Sequence, residues 1–192
     1  VLTIDRVEDA QPLARALVAG GLPALEITLR TAAAMEAIAA VAEVEGAMAG
    51  VGTLLTAAQI RGAKSAGATF GVSPGATETL IQTARDYNLP LLPGAATATE
   101  AMWLLEQGFI FQKFFPAEAA GGAPALGSMA GPLPQITFCP TGGVTPKNAK
   151  TYLALPNTRC VGGSWIAPKA LIDAGDWDQI TQIARRAADL LA

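Results

Sequence analysis

An α/β fold closed into a (β/α)8 TIM barrel, as one compact domain over residues 1–192, is the architecture this sequence predicts. Short β-like runs alternate with helical patterns about every twenty to twenty-five residues. No hairpin signal joins neighbouring runs, so the strands should be parallel. Eight such units are present, enough for a parallel sheet to close on itself. The alternative is an open doubly wound sheet. It usually has fewer strands, and it calls for a Gly-rich dinucleotide turn after the first strand, which this chain lacks.

The β-like runs cover residues 1–4, 24–29, 47–51, 69–72, 89–92, 110–115, 135–138 and 158–161. Helical patterns follow over 8–19, 32–44, 57–66, 78–86, 98–107, 123–130, 146–154 and 176–191. Asp5 with Glu8, Thr56 with Gln59 and Thr97 with Glu100 have capping-box spacing, in which side chains satisfy the first orphan amides of a helix. Thr145 before Pro146 predicts a cap followed by proline at the first helical position. Gly20-Gly21, Gly67 and Gly108 stand where left-handed helix stops are expected.

The chain of 192 residues is 51% hydrophobic and 15% charged, which suits one sizeable core better than two. A formal charge of −3 provides no basic footprint for nucleic acid or anionic membrane. No apolar stretch reaches membrane-spanning length. The chain opens in an apolar segment with no charged leader before it. The expectations are a cytoplasmic protein and a further segment upstream of residue 1. Cys139 and Cys160 are too few for a disulfide framework and too far apart for zinc-ligand spacing, so both are expected as buried reduced thiols.

Histidine is absent. That removes Ser-His-Asp and Cys-His catalysis and every His-bearing zinc site. Carboxylate, lysine, hydroxyl and backbone amide remain. In residues 24–30, strand alternation sets Glu26, Thr28 and Arg30 on one face and Leu25, Ile27 and Leu29 on the other. The polar face would bring a carboxylate, a hydroxyl and a guanidinium into the barrel, with Arg30 at the C-terminal rim; a satisfied internal ion pair is the other reading. Lys113 lies within an apolar strand, where holding an ammonium charge is costly and the neutral, nucleophilic amine is favoured. A lysine that snorkels outward is the alternative. Glycine pairs end the last two units, at Gly142-Gly143 and Gly162-Gly163, where backbone amides can approach a phosphate closely. Thr53, Pro74 and Gly94 are small rim residues that leave room for a ligand, and ordinary loop chemistry explains each one equally well.

Taken together, these residues resemble the 2-keto-3-deoxy-6-phosphogluconate (KDPG) / 4-hydroxy-2-oxoglutarate aldolase family. The runs that carry the resemblance are Leu-Glu-Ile-Thr-Leu-Arg-Thr at 25–31, Gly-Val-Gly-Thr at 50–53, Val-Ser-Pro-Gly at 72–75, Leu-Pro-Gly at 92–94, Lys-Phe-Phe-Pro-Ala-Glu at 113–118, Phe-Cys-Pro-Thr-Gly-Gly at 138–143 and Val-Gly-Gly-Ser-Trp at 161–165. The resemblance implies a class I aldolase of carbohydrate-acid metabolism, in the Entner–Doudoroff route. In it Lys113 forms the Schiff base and Glu26 shuttles protons. Arg30 and Thr53 would hold the pyruvate carboxylate, and Pro74 would shape the pocket. Thr141 would touch the substrate, while Gly142, Gly143, Gly163 and Ser164 would take the phosphate. The family also implies no metal, no organic cofactor and a cytosolic homotrimer. Two further readings stand beside it: action on 4-hydroxy-2-oxoglutarate or oxaloacetate, and an aldolase scaffold whose surface serves a larger assembly. The charge-poor helix over 32–44 and the apolar run at 109–111 motivate the last.

Overall fold

A computed structural model of the chain describes residues 1–191; Ala192, the last residue of the expected domain, lies outside them. The chain divides into two compact units: residues 1–72, 78–91 and 164–192 in the first, residues 73–77 and 92–163 in the second.

The first unit is built on parallel strands β1 (Ala24–Thr28), β2 (Met48–Gly52) and β3 (Phe70–Val72), in sheet order, with β4 (Leu91–Leu92) next at the unit's edge. A bridge from Leu2 to Ile27 adds the opening segment beside β1. Helices α1 (Ala10–Ala19), α2 (Ala34–Ala42), α3 (Ala57–Ser65), α4 (Glu78–Asp86), α8 (Lys169–Ala174) and α9 (Trp177–Ala188) complete it. In α1 the buried residues Leu13, Ala14, Ala16 and Leu17 recur at helical spacing and form one apolar stripe. At the end of α1, a methyl on Gly20 would lie 2.3 Å from the Ala184 side chain, so a residue without Cβ lets α9 pack closely there. This stripe, Ile180 and Ala184 belong to the unit's apolar core.

The second unit carries parallel strands β5 (Gly94–Ala95), β6 (Phe111–Phe114) and β7 (Thr137–Pro140), with α5 (Ala98–Glu106), α6 (Gly122–Ser128) and α7 (Ala149–Leu153). Bridges from Phe138 to Thr158 and from Thr141 to Gly162 bring the last strand-like segment beside β7. Phe114 and Phe138 meet edge to face, centroids 6.3 Å apart, in this unit's core.

Two of the three expected capping boxes form. The hydroxyls of Thr56 and Thr97 accept from the Gln59 and Glu100 amides, and those side chains reach back to the cap amides. The Asp5–Glu8 box does not form. Arg6 occupies the cap position of a short 3-10 turn (Val7–Asp9), and Asp5 instead pairs with Lys169 at 2.8 Å. Thr145 does not cap a helix at Pro146 either. The Asn148 side chain accepts from the Thr145 amide at 2.7 Å and closes a turn, so α7 starts at Ala149. Gly21, Gly67 and Gly108 are left-handed stops with φ between 86° and 91°, whereas Gly20 has φ −84°. Among the described residues, no helix is long and apolar enough to cross a membrane.

The α5 cap predicts an acid-side effect. Glu100 accepts from the Ala96 and Thr97 amides at 2.9 Å, and the Ala96 amide above all holds its carboxyl below the ordinary 4.5. A lowered folded-state pKa contributes stability above 4.5 that is lost as pH falls through the folded value. Glu100→Gln should therefore melt lower than the parent at pH 7 and draw together with it as the pH falls below 4.5, a gap unchanged by acid being the contrary outcome. Thr97→Ala should cost about 1 kcal/mol at neutral pH in a denaturant titration.

Candidate active site

In the first unit, β1 and β2 align Glu26 with Gly50 and Thr28 with Gly52. A methyl on Gly52 would stand 2.4 Å from Glu26 Oε1, and one on Gly50 would stand 2.1 Å from the Phe70 ring. Gly52 thus makes room for the Glu26 carboxylate, and Gly50 for the Phe70 ring. Thr53, in the left-handed region at φ 60°, follows directly, and its Oγ1 accepts from Arg30 Nε at 3.3 Å. A guanidinium so oriented keeps donors available for a carboxylate, which its planar fork can grip through both oxygens.

The alternation expected over residues 24–30 holds only in part. Thr28 is fully buried, and its hydroxyl donates to the Leu2 carbonyl at 2.9 Å, so it serves the first strand instead of a ligand. The strand ends at Thr28, and Arg30 lies in the following turn with its side chain exposed. Ser164 also belongs to this unit; it is exposed, and its carbonyl accepts from the Ala167 amide at 3.2 Å.

In the second unit, β6 decides where the lysine points. Gln112 is fully buried and donates to the Ala101 carbonyl of α5 at 3.0 Å and to Phe109 at 2.9 Å. Successive strand residues face opposite ways, so Lys113 projects from the face turned away from α5. It is 5% exposed, with Nζ 5.0 Å from the centre of the Phe115 ring. Lys113 therefore does not snorkel into water. The aromatic face offers a favourable contact to a positive nitrogen. That partner was readable in the sequence as the same-face neighbour two positions on.

Lys113 is aligned with Gly94 of β5 on one side and Cys139 of β7 on the other. A methyl on Gly94 would lie 2.2 Å from the Pro74 carbonyl oxygen, so the Pro74 turn packs directly on that glycine. Thr141 is buried, and its Oγ1 lies where a Cβ on Gly162 would clash at 2.3 Å. Gly142 and Gly143 have φ of 97° and 79°, a conformation that strains any residue with a Cβ. Gly163 follows the Thr141–Gly162 bridge and is half-buried.

Two further contacts in this unit escaped the sequence. The Tyr152 hydroxyl donates to Glu118 Oε1, across 34 positions in sequence. Burial of the ring, and then the carboxylate beside it, push the Tyr152 phenol well above its ordinary 10.0, so it remains a donor at neutral pH. Cys139 and Cys160 form no disulfide; a hydrogen bond between the thiols lowers the pKa of Cys160, which is half-buried where a buried thiol was expected, while Cys139 is buried.

The family model for KDPG and KHG aldolases matches residues 1–183. A 2-dehydro-3-deoxy-phosphogluconate aldolase of Pseudomonas aeruginosa is 49% identical over 100% of this chain and 88% of its own length. A KHG/KDPG aldolase of Escherichia coli K12 is 48% identical over 98% of this chain and 89% of its own. Among solved structures, a KDPG aldolase of Legionella pneumophila, with pyruvate captured at low pH as a covalent carbinolamine intermediate, superposes with a TM-score of 0.94. It is 44% identical and covers 97% of this chain and 91% of its own. The fold class is accordingly the predicted (β/α)8 barrel, the open doubly wound sheet being set aside. With its motifs in order from Glu26 to Trp165 and matches along nearly its whole length, the chain belongs to the KDPG and KHG aldolase family.

Proposed function

We propose that this protein is a class I aldolase that reversibly cleaves 2-keto-3-deoxy-6-phosphogluconate to pyruvate and glyceraldehyde 3-phosphate, with Lys113 as the covalent residue. The observation that carries the assignment of the lysine is its 5% exposure on a strand face turned away from the helix layer. A side chain held on that face can present its amine, the nucleophile a Schiff base requires, to a ketone.

The amine adds to C2 of the substrate to give a carbinolamine, which loses water to an iminium. Glu26 accepts the C4 hydroxyl proton as the C3–C4 electron pair moves toward the iminium, releasing the aldehyde and leaving an enamine. Protonation at C3 and hydrolysis return pyruvate and the free amine. Arg30 and Thr53 hold the pyruvate carboxylate, a role supported by the 3.3 Å hydrogen bond between them. Pro74 shapes the pocket beside the scissile bond, Thr141 contacts the substrate, and Gly142, Gly143, Gly163 and Ser164 take the phosphate. All residues of the barrel act as one domain, a reading supported by a family match that runs through both units.

Incubation with pyruvate and borohydride, then peptide mass mapping, tests the assignment: a reduced adduct on Lys113 is expected, and an adduct on another lysine or none would reject it. A second substrate is supported by the KHG/KDPG name of the Escherichia coli relative. With 4-hydroxy-2-oxoglutarate, kcat/KM should be at least about tenfold lower than with the phosphorylated substrate, since the phosphate adds charged hydrogen bonds. Equal constants would remove the phosphate role of the glycine turns.

The protein acts in the cytoplasm as a homotrimer. Met102, Ile110 and Phe111, exposed by 51%, 62% and 39%, support a subunit contact in the second unit, near the apolar run already noted in the sequence. Light scattering that gives a monomer mass would exclude it.

A further inference from the structure

The turn at residues 141–143 is tied down through its carbonyls. The Ala117 amide donates to the Thr141 carbonyl at 2.8 Å, and the Glu118 amide donates to the Gly142 carbonyl at 3.0 Å. The Gly143 carbonyl accepts from the Asn148 side chain at 3.1 Å. In a planar trans peptide the carbonyl and the following N–H point in opposite directions. Holding three successive carbonyls therefore turns the amides of Gly142, Gly143 and Val144 away from the residues that hold them, as a group of donors suited to an anion. The stem of Glu118 lies under the same turn: a methyl on Gly143 would stand 2.5 Å from Glu118 Cγ and 2.7 Å from its Cβ. The far end of that side chain is held in turn by the Tyr152 hydroxyl, from α7. Tyr152 is fully buried, whereas Glu118 is exposed and the bond between them is part-buried.

We infer that Glu118 and Tyr152 are positioning residues: the Tyr152–Glu118 hydrogen bond holds the Glu118 stem beneath Gly143 and so aims the 142–144 amides at the substrate phosphate. Neither residue touches the reacting carbons. Their effect falls on phosphate binding and leaves the carbon–carbon chemistry alone. The inference rests on the phosphate role proposed above for Gly142 and Gly143.

Steady-state kinetics of the full-length protein tests it with two substrates. For Tyr152→Phe and for Glu118→Ala, KM for 2-keto-3-deoxy-6-phosphogluconate should rise about tenfold with kcat held within about twofold, the loss of one charged hydrogen bond. KM for 4-hydroxy-2-oxoglutarate, which has no phosphate, should stay within about twofold of the parent. The double variant should be no worse than either single one, because both break the same link. Glu118→Gln keeps an oxygen that can accept from Tyr152 and should restore most of the parent KM. Equal KM increases for both substrates, additive losses in the double variant, or a Glu118→Gln as impaired as Glu118→Ala would each overturn the inference. Should Tyr152→Phe fail to fold, Glu118→Ala at its exposed position decides the same question. A parent protein that treats both substrates alike would instead reject the phosphate role of the turn, and the inference with it.

Discussion

Lys113→Met is expected to lose activity by about four orders of magnitude or more in kcat, and to lose covalent capture of pyruvate altogether, while remaining folded. Methionine matches the length and flexibility of the lysine stem, so the 5%-exposed position beside the Phe115 ring stays filled. What disappears is the amine. Without it no iminium can form to accept the electrons of the breaking bond, and binding alone cannot replace a missing covalent step. The folded state should not suffer, because removing a buried ionisable group relieves the burden of keeping it from water. Circular dichroism and a thermal melt establish folding. Kinetics and borohydride trapping then read the chemistry. Residual kcat above about one per cent of the parent, in a preparation free of contaminating enzyme, would show that another group forms the covalent bond.

Gly94→Ala should be the most damaging glycine substitution in the second unit, at about 3 kcal/mol, the upper end for forcing atoms into a filled space. The added methyl would meet the Pro74 oxygen at 2.2 Å, its carbonyl carbon at 2.4 Å and the Gly75 nitrogen at 2.8 Å. All three are backbone atoms, so no rotamer change relieves the contact. Either β5 or the Pro74 turn must move. Because Gly94 is aligned with Lys113 across the β5–β6 pair, a shift of β5 also displaces the strand that carries the amine. Activity should therefore fall in the molecules that still fold. Gly75→Ala is the matched control one residue beyond Pro74: nothing lies within 4 Å of its added methyl, and the change should stay within about 0.5 kcal/mol. Urea titration of the two variants checks the contrast. Similar midpoints for both would mean that the Pro74–Gly94 packing does not constrain the barrel.

Local patterns carried much of the fold. The Thr56 and Thr97 caps form where the spacing predicted them because a capping box closes within four residues and needs no distant partner. The failed boundaries have separate causes. The seventh strand, expected at 135–138, runs instead over Thr137–Pro140, because its start is set where Phe111 of β6 begins to pair with Thr137. The short helix Lys169–Ala174 was not predicted at all; six residues are too few for a periodicity to declare itself. Asp5 was lost as a cap to Lys169, 164 positions away.

By itself the sequence determined the alternation of strand and helix, the family, and the lysine on an apolar strand, since each is written in residue types and short spacings. The tertiary structure alone decided which way that lysine faces, through the bond Gln112 makes to α5, and that Thr28 holds the opening segment at Leu2. It also joined Tyr152 to Glu118 beneath the Gly142–Gly143 turn. These are contacts between residues far apart in the chain, which only the packing of the strands brings together.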